Sequence, residues 1–516
     1  MIILILFATF LLLFLSSLFY NFYSSHQYWE RRGISGPEGT TFLGNFFRLS
    51  DNQNPRGFIL YQWTKIYGKV YGIYEGTIPV LVVSDLEMLQ DMFVRKFDCF
   101  YARKLTNLIH GNLESSIEEP KINLFSSRGT RWKRLRSLTS SVFTVKILRT
   151  VHTTIEDSAL TMIDFLEQND DGRPFNIHRY FQEYSYDVIS RLAMGQPHSE
   201  IFQNWGVDVV SNIFLRSHRC LPWYLAVMFP EYAFFVKKWF YKHEVIRGGD
   251  AGIIHQFCET AVLNRIKERK ENARMGIENT NNDFIDMFLD YCVDSIPDTE
   301  FGSPIDRKMT TEDVVGSCFL FLLAGFDTTA NTLAYTSYLL AKNPIVMTKL
   351  QNEIDSCISD NRIDYDELHK MKYLDAVIKE ALRLYPVAHF ACARECMKTT
   401  KLGDMVIEKG VMVEPDIMAI HMSKEVWGEN AEEFVPERWF DEKTRHAMAW
   451  LPFGAGARQC VGIRLGMEET KVVLCHILKR FHLVTGPETE DKLNILGCTT
   501  TSPEKVTLYL KTRSYL

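Results

Sequence analysis

Apolar positions recur with a helical period along most of this chain and alternate with polar positions in only a few places. The stretch "KVYGIYEGTIPVLVVS" at 69–84 carries β-branched and aromatic residues around its glycines, which predicts a β-hairpin. From Asp85 onward the helical pattern dominates, and further short strands are expected near 400–420 and at the C-terminus. The pattern therefore predicts a mainly α body with small β-sheets, in which the charged stretch 267–284 is an exposed loop.

The N-terminus differs from the rest because no charged side chain occurs before Glu30. About 20 apolar residues suffice to cross a bilayer, so a transmembrane anchor helix is expected. A cleaved signal peptide is the alternative, but it needs a basic start and a small-residue cleavage site, and neither is evident. Arg31 and Arg32 follow the run, which predicts that the body faces the cytosol. The predicted divisions are an anchor over 1–22, a hinge over 23–45 and one large domain over 46–516.

One helix is expected to lie entirely inside the protein. It begins with a capping box at Thr310 and Asp313 and stops before Pro344. Between Val314 and Phe326 it carries no charge, and a helix that is apolar all round is buried on all sides.

Asp327 and Thr328 interrupt this apolar helix near its middle. A buried carboxylate is costly unless it is paired or used. Two interpretations therefore stay open: a capped or solvated core acid, or a pair that handles protons beside an active site. Gly325 would let a neighbouring group approach the helix backbone. The Thr328 hydroxyl is placed to bond the carbonyl of Ala324, which would open the helix locally.

The stretch "LPFGAGARQCVG" at 451–462 places Cys460 between a glycine-rich turn and the start of a helical pattern. A helix N-terminus stabilises a thiolate, and glycines let the backbone approach a large flat ligand. A nucleophile would need a histidine base and a zinc site would need further cysteines nearby, and neither pattern is present. Eleven cysteines, an odd number without regular spacing, argue against a disulfide framework. A single thiolate on haem iron fits best, with Arg458 near enough to reach an anion on that ligand.

Two other groups of residues suggest binding sites. Cys392, Cys396 and His389 form a second candidate metal site, but their spacing is not that of zinc ligands, so small core fillers are expected. The cluster "RWKRLR" at 131–136 is compatible with a solvent-exposed basic helix face or with a nucleic-acid-binding patch. Its basic residues other than Arg136 are expected to point outward, towards an acidic redox partner.

Composition narrows the possible classes of protein. Apolar residues make up 46% of the chain, so a large core is possible and global disorder is excluded. The formal net charge of −6 is too mild to indicate a nucleic-acid partner, and none is expected.

Taken together, these motifs resemble the cytochrome P450 superfamily. "FGAGARQCVG" is similar to the family's highly specific cysteine-ligand signature, and "AGFDTT" to its oxygen-activation segment. "KEALRLYP" and "FVPERW" resemble its Glu–Arg–Arg set, and "WKRLR" resembles the segment that approaches a haem propionate. The residues that carry the resemblance are Phe453, Gly456, Arg458, Cys460, Gly462, Glu380, Arg383, Arg438, Trp132 and Arg136. The sequence departs from the family in its single hinge proline, Pro37, and in Asp327, where many microsomal members have Glu.

The resemblance implies the cytochrome P450 fold and a haem b cofactor whose iron has Cys460 as its only protein ligand. It implies that Asp327 and Thr328 are the catalytic pair that delivers protons. The cofactor-binding residues it implies, besides Cys460, are Arg458, Trp132, Arg136, Arg103, Arg394 and Phe453.

The activity implied is a monooxygenase that inserts one oxygen atom from O2 into a lipophilic substrate. Electrons would come from a membrane-bound NADPH-cytochrome P450 reductase, with cytochrome b5 as an optional second donor, because the chain has no dinucleotide-binding fingerprint. The implied location is the endoplasmic reticulum membrane, with a single span and a cytosolic catalytic domain. The aromatic-rich stretch 201–244 is either ordinary core or, as in the family, the roof of the pocket that dips into lipid. The rival functions are a haem-thiolate peroxide isomerase or dehydratase, and a non-enzymatic membrane haem protein.

Overall fold

The computed structural model describes most of the 516 residues. Outside the described residues lie 1, 107, 110–112, 116, 120, 169–171, 241–248, 279–282, 300–301, 359–360, 442–444 and 514–516. Within the first helix, the side chains at 2–4, 7–8, 10–11, 14–15 and 18 are also outside the description.

Helices dominate the described chain, as the apolar period predicts. They are α1 (Ile2–His26), α2 (Phe46–Leu49), α3 (Arg56–Tyr67), α4 (Leu86–Gln90), α5 (Gly129–Ser141), α6 (Val145–Gln168), α7 (Ile177–Met194), α8 (Gly206–Leu215), α9 (Leu221–Met228), α10 (Ala233–Trp239), α11 (Gly249–Met275), α12 (Phe284–Leu289), α13 (Thr311–Lys342), α14 (Pro344–Cys357), α15 (Tyr365–Lys370), α16 (Lys372–Leu384), α17 (Ile417–His421), α18 (Lys424–Trp427) and α19 (Ile463–Arg480). The prediction of a mainly α protein is confirmed.

Strands are short and form small sheets. They are β1 (Val70–Glu75), β2 (Ile78–Val83), β3 (Ala102–Arg103), β4 (Phe175–Asn176), β5 (Arg394–Glu395), β6 (Thr400–Leu402), β7 (Met405–Ile407), β8 (Met412–Pro415), β9 (Phe481–Val484), β10 (Ile495–Leu496), β11 (Ser502–Pro503) and β12 (Thr507–Thr512). β1 and β2 form the predicted hairpin, in antiparallel register with Val70 opposite Val83. The largest sheet has the order β1-β2-β8-β5-β3, which brings β3 and β5 to the edge beside the main cavity.

Helix α13 is the central helix of the core. Its start is the predicted capping box: the Thr310 hydroxyl accepts from the Asp313 N–H, and the Asp313 carboxylate accepts from the Thr310 N–H. It ends at Lys342, two residues before Pro344, also as predicted. Its apolar surface packs on α7, α11, α16 and α19, so most of its side chains are buried.

A buried ion triad holds the core behind the main cavity. Arg383 donates to both oxygens of Glu380 at 2.9 and 2.8 Å, and Arg438 donates to the same carboxylate at 2.7 Å. The remaining guanidinium protons of Arg383 reach backbone carbonyls, including that of His421 at 2.7 Å. These side chains lie in the interior, so the triad joins α16 to the segment before the cysteine loop.

The stretch 267–284 is a loop only in part. α11 continues to Met275, so "KERKENARM" is helical, whereas 276–278 are exposed and lie outside any helix or strand. The rest of the prediction falls partly on 279–282, which lie outside the described residues. Lys, Glu, Arg and Ala are strong helix formers, and a long helix can carry its charges on an exposed surface without leaving the helical state. The prediction is wrong for 267–275 because charge density reports solvent exposure and not backbone conformation.

The N-terminal segment is one continuous helix followed by a docked connection. α1 has 25 residues and is therefore about 37 Å long, enough to cross a bilayer. After it, Trp29 is buried, donating its indole N–H to the Ile73 carbonyl and lying against Gly72. Among the described residues, α13 is the one helix that is long and apolar enough to cross a membrane, and it lies mostly inside the protein; the anchor over 1–22 stays a prediction.

Candidate active site

A cavity of about 420 Å³ lies between α13, α5 and the loop that carries Cys460. The start of α19, the segment after α16 and the C-terminal loop at 499–500 complete its walls. Cys460 and Thr328 both line this cavity. Every other predicted site residue except Asp327 also lines it: Arg103, Trp132, Arg136, Arg394, Phe453 and Arg458.

The loop at 451–462 folds so that its thiol faces this cavity. The Cys460 N–H donates to the Phe453 carbonyl at 2.9 Å, which closes the loop. Gly454 and Gly456 have φ values of 69° and 67°, the left-handed region that favours glycine. A Cβ at Gly456 would lie 2.1 Å from the Phe93 carbonyl oxygen. The glycines predicted from the sequence are thus needed for a tight loop against Phe93 as well as for access to a ligand.

The thiol of Cys460 is exposed only in the sense that it forms part of the cavity wall; protein surrounds it on the other sides. Burial raises the pKa of this thiol, while the Gly462 N–H and the charges of Arg136 and Arg103 act in the opposite direction. The sequence predicted a lowered pKa from the helix N-terminus alone. In the protein without a bound metal, burial outweighs that effect, and coordination to a metal ion is what would deprotonate the thiol outright.

Three arginines on the cavity wall, Arg394 and Arg458 buried and Arg103 half-buried, have backbone carbonyls as their hydrogen-bond partners. Arg103 donates to Ala391, Phe125 and Arg458 carbonyls, and Arg458 donates to the carbonyls of Tyr101, Leu124 and Ser127. Arg394 donates to the carbonyls of Ala391 and Ala393.

These arginines repel one another in a place where water does not screen them. Burial first, and then the charge of Arg394, lower the pKa of Arg103 to about 9. Burial lowers the pKa of Arg394 to about 10. Burial and the charges of Arg103 and Arg394 lower the pKa of Arg458 well below its usual range. Clustered buried cations of this kind require an anion.

Trp132 and Arg136 lie on the cavity side of α5, as their four-residue spacing predicts. The Arg458 guanidinium stacks on the Trp132 ring with its carbon 4.3 Å from the ring centroid. Within the described part of the chain, the Arg136 guanidinium makes no hydrogen bond or ion pair, and burial lowers its pKa. Arg136 is therefore the cation in this cluster that most lacks a partner.

The other arginines of the 131–136 cluster do not point outward, so that prediction is wrong. Arg131 and Arg134 are buried and donate to Asp313 at 3.2 and 2.8 Å. Asp313 is the capping residue of α13, so these two cations fix the start of that helix. Sequence spacing placed Trp132 correctly, but it could not show that Asp313, far away in sequence, would draw the neighbouring arginines inward.

Thr328 faces the cavity from the middle of α13. Its hydroxyl donates to the Ala324 carbonyl at 2.6 Å, the bond predicted from the sequence. With its proton used there, the hydroxyl oxygen offers its lone pairs to the cavity. α13 nevertheless continues as one helix through this point. A Cβ on Gly325 would lie 3.0 Å from the Ile189 side chain, so that glycine also serves the close packing of α7 on α13.

Asp327 points away from the cavity into a polar network that the sequence did not reveal. Its carboxylate accepts from Asn331 Nδ2 at 2.8 Å. The Asn331 Oδ1 in turn accepts from His178 Nε2 at 2.8 Å and from the Ser502 hydroxyl at 3.0 Å. Burial raises the pKa of Asp327 to about 6, against the lowering effects of Thr500 and Asn331. Asn331 lies four residues after Asp327 on the same helix, so its contact with Asp327 could have been predicted from the sequence. No local pattern indicated that His178 and Ser502 join this network.

The rest of the cavity wall is largely apolar. Phe321 and Leu320 come from α13, and Ile213 and Phe214 from α8. Further apolar wall residues are Phe125, Phe143, Ile189, Leu323, Leu382, Val387 and Phe390. The cavity therefore has a cationic edge, the thiols of Cys460 and Cys392, several hydroxyls including that of Thr328, the Glu469 carboxyl and a mostly apolar remainder.

This arrangement fits a haem. The thiol can serve as an axial iron ligand, and the apolar walls suit a flat porphyrin. The four arginines of the cavity wall have no carboxylate partner among the described residues; these unpaired arginines, Arg103, Arg136, Arg394 and Arg458, can bind two propionate carboxylates. The second candidate metal site has no such support. Cys392 lines the same cavity, and among the described residues no group of three or more His, Cys, Asp or Glu side chains is arranged to hold a metal.

Comparison with known proteins agrees with this geometry. A family model described as "Cytochrome P450" matches residues 34–508. The Caenorhabditis elegans cytochrome P450 cyp-13B1 is 60% identical over 488 residues, covering 95% of this chain and 96% of the relative. From the same organism, cytochrome P450 CYP13A10 is 40% identical over 522 residues, 98% of this chain and 99% of its own length. A third relative, CYP13A2, is 41% identical over 501 residues, with 94% and 95% coverage.

Proposed function

The chain belongs to the cytochrome P450 family of haem-thiolate monooxygenases, and on that premise we propose that it oxidises a lipophilic small molecule at the endoplasmic reticulum membrane with electrons from an NADPH-dependent reductase. The observation that carries the proposal is the single cavity in which Cys460, the unpaired arginines and Thr328 meet. Residues 46–516 would be the catalytic domain and 1–22 its membrane anchor.

The cofactor would be haem b, with Cys460 as its only protein ligand. Arg103, Arg394, Arg458 and Arg136 would bind the propionates, which removes the repulsion among these buried cations. Trp132 would hold Arg458 in place through the stacking contact at 4.3 Å. Phe453 would fix the ligand loop through its carbonyl, which accepts from the Cys460 N–H.

When bound, the haem supplies the oxygen-activating chemistry, and thiolate ligation favours cleavage of the O–O bond. The protein's own residues bind, position and deliver protons. Thr328 would accept a hydrogen bond from a cavity water or substrate-side proton, because its own proton is held by Ala324. Asp327 would exchange protons behind it, since its pKa of about 6 lets both forms exist near neutral pH. Phe321, Phe214 and the other apolar wall residues would exclude bulk water.

The substrate is proposed to be lipophilic because the cavity wall is mostly apolar. Elsewhere on the surface, α9 and α10 expose large apolar side chains: Leu221, Phe234, Phe235 and Trp239, the last 83% exposed. Exposed apolar patches of this kind mark membrane contacts. The described part of this stretch, 201–240, contains core residues such as Phe214 and Trp223 as well as these exposed ones, and 241–244 lie outside the described residues. A substrate dissolved in the bilayer would reach the cavity from this side.

The test is reconstitution of the purified protein in vesicles with NADPH-cytochrome P450 reductase. Candidate lipophilic compounds are screened by the haem spin-state spectrum, and product, NADPH consumption and hydrogen peroxide are then measured together. Thr328→Ala should keep NADPH consumption while product per NADPH falls and peroxide rises.

Thr336→Ala is the matched control. Its hydroxyl makes the same bond, to the Thr332 carbonyl at 2.7 Å, but two turns further on and away from the cavity. Unchanged coupling in a folded, haem-loaded Thr328→Ala would contradict the role of Thr328. Turnover of a hydroperoxide without NADPH would contradict the monooxygenase cycle proposed here.

A further inference from the structure

A second, much smaller cavity lies directly behind the wall of the main one. Its volume is about 20 Å³, and Phe390, Thr499 and Thr500 line both cavities. The far side is formed by Arg56 and Gly57 of α3 and by Glu414 and Asp416 at the end of β8. A cavity needs roughly 10–15 Å³ to accept one water molecule, so this one has room for a single water.

Three buried polar atoms around this small cavity have no hydrogen-bond partner within the described part of the chain. They are Nδ1 and Nε2 of His389 and the hydroxyl oxygen of Thr500. Burial lowers the pKa of His389 to about 4, so the ring is neutral and carries one donor and one acceptor. Buried polar groups almost always have a protein or water partner. Three such atoms at one cavity of this size point to a water that satisfies them.

The ring of His389 is held in place and cannot turn away to find another partner easily. Gly57 lies against its edge, where a Cβ would come within 2.7 Å of two ring atoms. The absent side chain at Gly57 is thus what leaves room for the imidazole.

Thr500 connects the small cavity to the proton-handling acid of α13. Its hydroxyl lies close enough to Asp327 to lower the pKa of that carboxyl, yet makes no hydrogen bond of normal geometry. A hydroxyl in this position can bond Asp327 on one side and a water on the other after a small rotation about its C–O bond.

On the opposite wall, Asp416 is the group able to exchange protons with solvent. Burial raises its pKa to about 7, and it accepts from the Thr64 hydroxyl at 2.5 Å. Thr64 is half-exposed on α3, which opens this side towards the surface. Glu414 is unsuited to the task, because Arg56 and Lys104 pair with it and hold its pKa at about 2 despite burial.

We propose that this cavity holds one ordered water, bound by His389 and Thr500, and that this water passes protons from Asp416 towards Asp327. In each transfer the water accepts one proton and releases another, so no charge remains in the cavity. His389 and Thr500 are positioning residues in this route. The relay, although not the water site itself, rests on the role proposed for Asp327 and Thr328.

The first experiment tests the water site without reference to activity. His389→Leu removes both ring nitrogens. If a water is bound there, its loss of partners should lower the unfolding temperature of the haem-loaded protein by about 1–2 °C. If the cavity is dry, the same change removes two unpaired polar atoms from the interior and should raise the unfolding temperature. A crystal structure should show the water within 3.2 Å or so of His389 and Thr500; a dry cavity would overturn the proposal.

The second experiment tests the relay. His389→Leu and Thr500→Val should each lower product per NADPH and raise peroxide, and the double variant should be no worse than the poorer single one, because both act on one route. Cys498→Ser is the control, since Cys498 lines the small cavity but not the main one, and its thiol already has a partner in the Ser50 carbonyl at 3.2 Å.

Unchanged coupling in both variants, with Thr328→Ala still uncoupled, would overturn the relay and leave the proposed function intact. Unchanged coupling in Thr328→Ala would instead contradict the role proposed for Thr328, and the unfolding temperatures would still decide whether the water is bound.

Discussion

Two sets of buried arginines in this protein have opposite surroundings. Arg383 and Arg438 share Glu380, and Arg131 and Arg134 share Asp313, with distances of 2.7–3.2 Å. The arginines on the cavity wall, by contrast, donate to carbonyls or to nothing described. Both sets cost desolvation free energy, and only the first recovers it inside the protein. The presence or absence of a carboxylate partner therefore distinguishes arginines that stabilise the fold from arginines that are proposed to bind an anionic ligand.

The largest expected effect comes from breaking a paired set. Glu380→Gln leaves Arg383 and Arg438 buried without a full counter-charge, and removing one partner of a buried pair typically costs about 3–5 kcal/mol. Folded protein should then be nearly absent, which is measured as the haem-loaded yield. Glu429→Gln is the control, because its pair with Lys424 is exposed and should contribute nothing measurable. Normal yield of Glu380→Gln would show that the triad does not hold the core.

A comparison of two acids on α13 sharpens the same distinction. Asp313 has two arginine partners, whereas Asp327 has only neutral ones and a pKa raised from 3.8 to about 6. Well below pH 3.8, its ordinary pKa, Asp327 is neutral in both the folded and the unfolded state. As the pH rises through 6, the folded protein must ionise it at a penalty of about 3 kcal/mol.

Asp327→Asn removes that penalty. The free energy of unfolding of the wild type, relative to this variant, should therefore fall between pH 4 and pH 6 and stay constant above. Chemical unfolding of both proteins across this range measures the difference. A difference that does not change with pH would mean that Asp327 is not held at a raised pKa.

Removing an arginine of the cavity wall should have opposite effects on stability in the cofactor-free and the haem-loaded protein. Arg136→Met should leave the cofactor-free protein as stable or make it more stable, because it removes a half-buried cation that has no partner among the described residues. In the loaded protein the lost bond to a propionate costs about 1.5–3 kcal/mol, so haem should dissociate roughly 10- to 150-fold faster. Haem transfer to an acceptor protein measures that rate. Equal dissociation rates in wild type and variant would remove Arg136 from the propionate site.

Much of this fold could be predicted because its signals are local. The hairpin at 69–84, the capping box at Thr310 and the turn before α19 each follow from neighbouring residues whose backbone preferences agree. The same holds for Trp132 and Arg136, which share one side of α5 through their spacing alone.

The rest depends on residues that are far apart in sequence. The inward turn of Arg131 and Arg134 is caused by Asp313, about 180 positions away, as the separations of 182 and 179 show. The small cavity likewise joins His389 to Thr500 and to α3. Local sequence patterns do not indicate which distant residues come into contact. The burial and pairing of these side chains could therefore be seen only in the structure.

The central claim is that the unpaired arginines surround a haem whose iron is bound by Cys460, and the reduced carbon monoxide spectrum tests it most directly. Cys392→Ser is the matched control, because Cys392 is the other thiol on the cavity wall. Cys460→His should still retain haem through the arginines but lose the red-shifted band typical of thiolate ligation, while Cys392→Ser should keep it. A red-shifted band that survives in Cys460→His, or disappears in Cys392→Ser, would contradict the account.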